Sequence, residues 1–193
     1  MRIALPPIGN PRWSEVVTHH LFDDADCDAA LGTLDVDAWR PAGLADDTSY
    51  DKVDRTLRSA ELQLLPADGW PFGRLMQALS DLNAEVHRFD LHGLDPIDAP
   101  SILRYEAGSN DHFRPHQDIG PSNPTRKVTF VVQLTAPDDY YGGDLVFPEL
   151  GRSGPRDRGT LIVFPSFLQH VVSPVLSGTR HAIVGWLHGP TFS

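Results

Sequence analysis

His116 and Asp118 stand two apart in the run Arg-Pro-His-Gln-Asp-Ile-Gly. That spacing puts an imidazole and a carboxylate on one face of a strand, with Cα atoms about 6–7 Å apart, so both can reach one ion. The pair alone is common by chance, and Asp118, just before Gly120-Pro121, has an alternative use as a turn cap. His170 strengthens the metal reading. It lies in Phe-Leu-Gln-His-Val-Val-Ser directly after a Pro-Ser turn, and a histidine in a buried apolar run needs a partner. Ten residues further on, Arg180 opens a strand whose same-face neighbours are Ala182, Val184 and Trp186. An unpaired guanidinium among such neighbours is costly, and no acidic residue follows Asp157. Its partner is then either a distant acid from the first half of the chain or a ligand carboxylate held bidentately.

Two imidazoles and one carboxylate form a facial set of ligands that leaves three positions of an octahedron open, which suits ferrous iron. The same set can hold zinc with an activated water, so oxidation and hydrolysis both remain open on these ligands. Arg180 favours the former: a dicarboxylic 2-oxo acid could chelate iron at one end and reach the guanidinium with the other. Arg114 shares strand parity with His116 and Asp118 and is a candidate for a substrate carboxylate near the pocket entrance, although Pro115 marks an edge or irregular strand where solvent or Asp111 would serve equally. His19, His20, His87 and His92 fall outside this region and read as surface or packing residues.

The elements that must position these groups change in texture near Pro100. Residues 1–99 read as a mostly helical support region. Asp23 or Asp24 caps a short helix that Gly32 ends, and a helix over 71–85 carries Phe72, Leu75, Met76, Leu79, Leu82 and Val86 on one stripe. Over 50–65 the pattern is mixed: Tyr50, Val53 and Leu57 fit a helical turn, whereas Leu62 and Leu64 alternate like a strand. After Pro100 short strands are expected near 101–106, 112–118, 127–134, 144–148, 159–164, 168–172 and 180–188. With no crossover helix between them, an antiparallel sandwich or barrel is expected over 100–188, in one domain spanning 1–193. On the strand near 127–134, Val128, Phe130, Val132 and Leu134 form a packing face. Lys127, Thr129, Val131 and Gln133 form a mixed face that suits a pocket wall.

Composition narrows the partners. The 193 residues carry a formal charge of −10, with all of the acidic excess in the first hundred, and no basic stripe for nucleic acid or an anionic membrane. The single cysteine, Cys27, excludes an intrachain disulfide framework, and no stretch approaches the length of a membrane span. The expectation is a soluble, cytoplasmic protein acting on a peptide or small molecule, with no obligate protein partner inferable.

From Leu103 onward the sequence resembles the Fe(II)- and 2-oxoglutarate-dependent dioxygenases, most closely the prolyl-hydroxylase-like branch. The resemblance rests on LRYEAGSNDHFRPHQD, RKVTFVVQL, YGGDLVFPE, GTLIVFP, HVVSPV and TRHAIVGW in family order. It implies a double-stranded β-helix (jelly roll, cupin-like), mainly β with N-terminal helices, and a hydroxylase using Fe(II), 2-oxoglutarate and O2. It also implies His116, Asp118 and His170 as iron ligands and Arg180 as the seat of the 5-carboxylate. Tyr105 would line the cosubstrate pocket, and Trp186 would wall the substrate side. Thr129 and Gln133 would complete the cosubstrate site, Gln133 standing where several relatives have tyrosine. A prolyl residue, an amino acid or a related small molecule is the implied substrate. A metal-dependent hydrolase and a non-catalytic small-molecule-binding jelly roll are the alternatives.

Overall fold

The computed structural model describes residues 12–44, 52–65 and 72–192. Thirteen strands and two α-helices follow in chain order: β1 (Val17–His20), α1 (Asp24–Gly32), β2 (Arg40–Pro41), β3 (Arg58–Ser59), β4 (Glu61–Leu64), α2 (Phe72–Leu82), β5 (Ser101–Glu106), β6 (His112–His116), β7 (Arg126–Gln133), β8 (Tyr140–Gly142), β9 (Leu145–Phe147), β10 (Arg152–Ser153), β11 (Thr160–Pro165), β12 (His170–Val172) and β13 (Val175–His188). All ladders are antiparallel. The major sheet runs β1-β11-β7-β13-β5-β4-β2, with β8 added to β13, and the minor sheet runs β10-β9-β12-β6-β3.

The two faces of β7 explain the layering. Val128, Phe130, Val132 and Leu134 enter a core shared with Leu75 and Leu79 of α2 and Cys27 and Ala30 of α1. Val131, one residue out of phase, enters a second core with Leu145, Phe147, Phe164 and Val172, between the two sheets. Helices therefore back one face of the major sheet and the minor sheet covers the other, the two-layer solution for a sheet apolar on both sides. Leu75 and Leu79 are fully buried, and removing either side chain down to alanine would cost about 2–5 kcal/mol.

Local signals account for the helix limits. Asp23 is the N-cap of α1: it accepts from the Asp26 amide while Asp26 returns the bond, a reciprocal capping box. The helix ends through Thr33, whose N–H reaches Ala30 and Leu31, and Gly32 is its last residue rather than a left-handed terminator. In α2 the expected stripe faces inward, with Arg74, Gln77, Asp81 and Glu85 toward water. The helix does not stop in α geometry: it continues as a π turn, Asn83–His87, and Arg88 closes it in the left-handed region at φ 57°. Pro71 and Tyr50 lie outside the described residues.

The described part of the first hundred residues is less helical than expected. Four of their strands extend the sheets: β1 pairs with β11, β4 with β5 and β2 with β4, while β3 pairs with β6. Val53 and Leu57 are exposed and belong to no helix, because pairing with β5 and β6 dictates the backbone here more strongly than helical spacing does. No helix among the described residues is long and apolar enough to cross a membrane.

Candidate metal centre and its pocket

His116 ends β6 and His170 begins β12, and the two are direct cross-strand partners. The ladder thus brings together residues far apart in sequence. Asp118 lies just past the strand, its amide donating to the Ser166 carbonyl at 2.9 Å. His116 Nε2 is 3.7 Å from Asp118 Oδ1, and His170 Nε2 is 3.5 Å from Asp118 Oδ2. The three ligand atoms lie within 4.8 Å of one another, a separation one ion would span.

Neighbouring groups orient each ligand. A backbone carbonyl can only accept, so the contacts of His116 Nδ1 with the Arg114 carbonyl (2.8 Å) and of His170 Nδ1 with the Leu168 carbonyl (3.1 Å) place the ring protons on Nδ1. Both Nε2 lone pairs then point at the shared centre. Phe113 stacks on His116 at 3.4 Å, and Phe164 meets His170 edge-on at 4.8 Å. Thr129 donates its hydroxyl proton to Asp118 Oδ2 at 2.7 Å. Burial, followed by the adjacent His170, pushes His116 down to about 3, so its imidazole is neutral near pH 7. Burial disfavours the Asp118 charge, but His170, His116, Arg126 and the Thr129 hydroxyl outweigh it and hold the carboxyl at about 2. A neutral His116 imidazole beside an ionised Asp118 carboxylate is the protonation state a divalent cation requires.

Arg180 is a cross-strand partner of Tyr105 and only 2% exposed, with its guanidinium 5.5 Å from the Tyr105 ring. No carboxylate pairs with it among the described residues, so the distant acid considered from the sequence is not found there. Its Nη2 donates to Gln133 Oε1 at 2.9 Å, while Nε is buried without a partner. Gln133 is fixed from behind by donating to the Pro155 carbonyl at 3.0 Å. Gly143 gives the arginine stem its room: a Cβ there would lie 3.2 Å from Arg180 Cδ and 2.9 Å from Val175 Cγ2.

The metal-ligand cluster, Tyr105 and Arg180 open into one cavity of about 570 Å³ between the sheets. Thr129, Val131, Leu145, Val184 and Trp186 line it too, as the mixed face of β7 suggested. Both Thr129 and Gln133 are engaged with protein groups: Thr129 bonds Asp118 and Ser166, and Gln133 accepts from Arg180. Arg114 lines the mouth with an exposed side chain. Trp186 carries the Arg126 guanidinium 3.5 Å over its ring, and Arg126 is gripped by both oxygens of Asp98. Sequence reasoning named Trp186 as a wall residue but missed its Asp98–Arg126 partners, and it missed Arg58, which also lines the cavity. Arg126 abuts the recognisable β7 run, but Arg58 sits in a two-residue strand with no periodic signal.

Residues 100–188 match the 2OG-Fe(II) oxygenase superfamily. A PKHD-type hydroxylase of Crocosphaera subtropica is 38% identical over 156 residues, covering 78% of this chain and 63% of that protein. Another from Gloeothece citriformis is 40% identical over 89 residues, 44% of this chain and 40% of the relative. The chain thus spans less than two thirds of these relatives' length. In three dimensions it is similar to a Pseudomonas putida prolyl-4-hydroxylase, with a TM-score of 0.67 at 19% identity, covering 92% of this chain and 94% of that one. It is also similar to a prolyl hydroxylase from Trichoplax adhaerens solved with a hypoxia inducible factor peptide fragment, with a TM-score of 0.72 at 16% identity, covering 92% and 84%. These likenesses show the shared jelly-roll fold.

Proposed function

We propose, from the match of residues 100–188 to the 2OG-Fe(II) oxygenase superfamily, that this chain is an Fe(II)- and 2-oxoglutarate-dependent hydroxylase acting on a prolyl residue, an amino acid or a related small molecule. The observation that carries the reading is a largely buried His-Asp-His cluster sharing a cavity with a buried arginine that pairs with no acid among the described residues. His116, Asp118 and His170 would hold the iron through Nε2, a carboxylate oxygen and Nε2. Bound there, ferrous iron with 2-oxoglutarate and O2 supplies the oxidising power for C–H hydroxylation, with succinate and carbon dioxide as coproducts.

The protein's own work is placement and exclusion of water. Arg180 presents Nε and Nη2 to the far carboxylate of the cosubstrate, and Gln133 keeps the guanidinium plane fixed. Tyr105 bounds the cosubstrate and its hydroxyl is available to a carboxylate. Thr129 holds the carboxylate ligand in one orientation, and the neutral His116 imidazole need release no proton before binding metal. Val131, Leu145 and Val184 form a dry wall beside the reacting position. Trp186 and Arg114 belong to the substrate side, at the wall and the mouth. The peptide in the Trichoplax structure supports a peptide substrate for that relative; a compact substrate fits this cavity as well. The lone buried Cys27 suits a reducing, cytoplasmic setting.

Succinate formation tests the proposal. It should require Fe(II), 2-oxoglutarate and O2 together and be abolished by His116→Ala or Asp118→Ala. A hydrolytic activity supported by zinc without oxygen, with no succinate formed, would move the assignment to a metal hydrolase.

A further inference from the structure

Five arginines and two aspartates line the cavity, in a chain whose formal charge is −10. The dipositive metal and the dianionic cosubstrate of the proposed reaction cancel, so among the described lining residues the loaded pocket keeps a formal excess of three positive charges. The acids are engaged already: Asp98 grips Arg126, and Asp118 faces the histidine pair. Arg180 is taken by the cosubstrate, and Arg40 and Arg114 are exposed. Arg58 is left.

Arg58 is the cross-strand partner of Phe113. Its guanidinium carbon lies 4.8 Å above the Phe113 ring, which stacks at 3.4 Å on the candidate ligand His116. Cation, phenyl ring and imidazole form one column ending at the metal centre. Nη1 donates to the Gly43 carbonyl at 2.8 Å, Nε is buried without a partner, and no carboxylate pairs with the side chain among the described residues. Burial pulls its pKa below the usual arginine value, with the Tyr105 hydroxyl and the Asp118 carboxylate favouring the charge. A partly buried guanidinium held by a carbonyl, a ring and the Tyr105 hydroxyl, with no carboxylate paired to it among the described residues, leaves donors for an incoming anion. The rim of the cavity carries the exposed side chains of Leu57, Leu64 and Ile97 beside the exposed Arg40 and Arg114.

We propose that Arg58 is a second carboxylate anchor and that the compound hydroxylated is an acid. Its apolar body rests on the leucine–isoleucine rim while its carboxylate meets Arg58 one stacked ring away from the metal. The proposal rests on the oxygenase reading above. The carboxylate is either the substrate's own terminal group or an acidic side chain beside a prolyl residue.

Two matched pairs separate these sources: N-acetyl-L-proline against N-acetyl-L-prolinamide, and acetyl-Gly-Pro-Glu-amide against acetyl-Gly-Pro-Gln-amide. Each compound, with its terminal or side-chain carbonyl carbon labelled with carbon-13, is titrated into protein loaded with Mn(II) and 2-oxoglutarate without oxygen. Affinity and paramagnetic relaxation of the labelled carbon are read together. In at least one pair the acid should bind about tenfold tighter than its neutral partner, with its carboxyl carbon strongly relaxed. Arg58→Gln should bring the acid to the level of the neutral compound, and Arg58→Lys should keep part of the preference. Acids that bind no better than their neutral partners, or not at all, overturn the proposal. So does a preference that survives Arg58→Gln or that Arg114→Gln abolishes. A loss of 2-oxoglutarate affinity in Arg58→Gln would give the residue to the cosubstrate instead. Failure of Mn(II) to bind the unmutated protein would bring down the metal reading itself, a result distinct from all of these.

Discussion

Replacing Gln133 by glutamate tests the cosubstrate anchor without touching a metal ligand. Arg180 Nη2 lies 2.9 Å from Gln133 Oε1 in a site where the arginine is only 2% exposed. A carboxylate at that oxygen would stand about 3–4 Å from the guanidinium charge, worth about 4–5 kcal/mol at an effective dielectric of 20. Part of that is lost in burying the new carboxylate and in giving up the donor that Gln133 offers the Pro155 carbonyl. What remains is an arginine already neutralised when 2-oxoglutarate arrives, plus repulsion between two carboxylates. A net penalty of about 2–4 kcal/mol corresponds to 2-oxoglutarate binding weakened by roughly thirty- to several-hundredfold. Gln133→Ala removes the acceptor but leaves the charge available, so its binding should fall by no more than about tenfold.

Calorimetric titration of 2-oxoglutarate into the Mn(II)-loaded protein under anaerobic conditions reads both variants, and chemical unfolding reports whether each is folded. The order of effects is the decisive feature. Gln133→Glu within threefold of the parent, or Gln133→Ala as damaging as Gln133→Glu, would refute the view that Arg180 receives the far carboxylate.

Three further outcomes follow from the geometry. Thr129→Val keeps the shape of the side chain but removes the 2.7 Å hydrogen bond to Asp118, and Mn(II) affinity measured by titration should fall by about 10- to 100-fold; unchanged affinity would mean the carboxylate needs no such support. His181 is pushed down to about 4 by burial, then by Arg104 and Arg180, so the unfolded chain binds more protons as pH falls below about 6.5. Stability is therefore full above that pH and lost toward 4; from pH 7.5 to 5 the parent should lose about 1–2 kcal/mol more in urea unfolding than His181→Gln, and parallel pH profiles would contradict this. Gly143→Ala places a methyl against Val175 and Arg180 at a residue with φ +65°, and should cost about 1–3 kcal/mol, read as a lower Tm, while weakening 2-oxoglutarate binding; an unshifted melting curve would show that the site yields freely.

The candidate metal cluster was legible because a short strand converts sequence spacing directly into a shared face, and a buried histidine or arginine without a local partner advertises a missing one. His116 and Asp118 needed only the period of two. His170 and Arg180 needed the additional expectation of an antiparallel sheet, whose register makes His170 and His116 direct partners. The two faces of β7 were readable on the same grounds, and its packing face meets α2 as its stripe requires.

What escaped is set by contacts that spacing does not encode. Val53 and Leu57 keep helical spacing, yet the backbone after them is claimed by β6 and β5, whose edges would otherwise leave rows of peptide groups unpaired. That pairing carries Arg58 over Phe113 and into the pocket, so the same event that defeats the helical reading creates the unforeseen cation. The Asp98–Arg126 clamp is similarly non-local, joining a 3₁₀ turn to the first residue of β7. Thr129 and Gln133 were placed on the mixed face of β7, but their protein partners were not foreseen: the Thr129 hydroxyl meets Asp118 and Ser166, and Gln133, held by Pro155, meets Arg180. Parity along a strand decides which side a residue faces. The length of its side chain and the first polar atom on that side decide whether it touches the ligand or the residue that does.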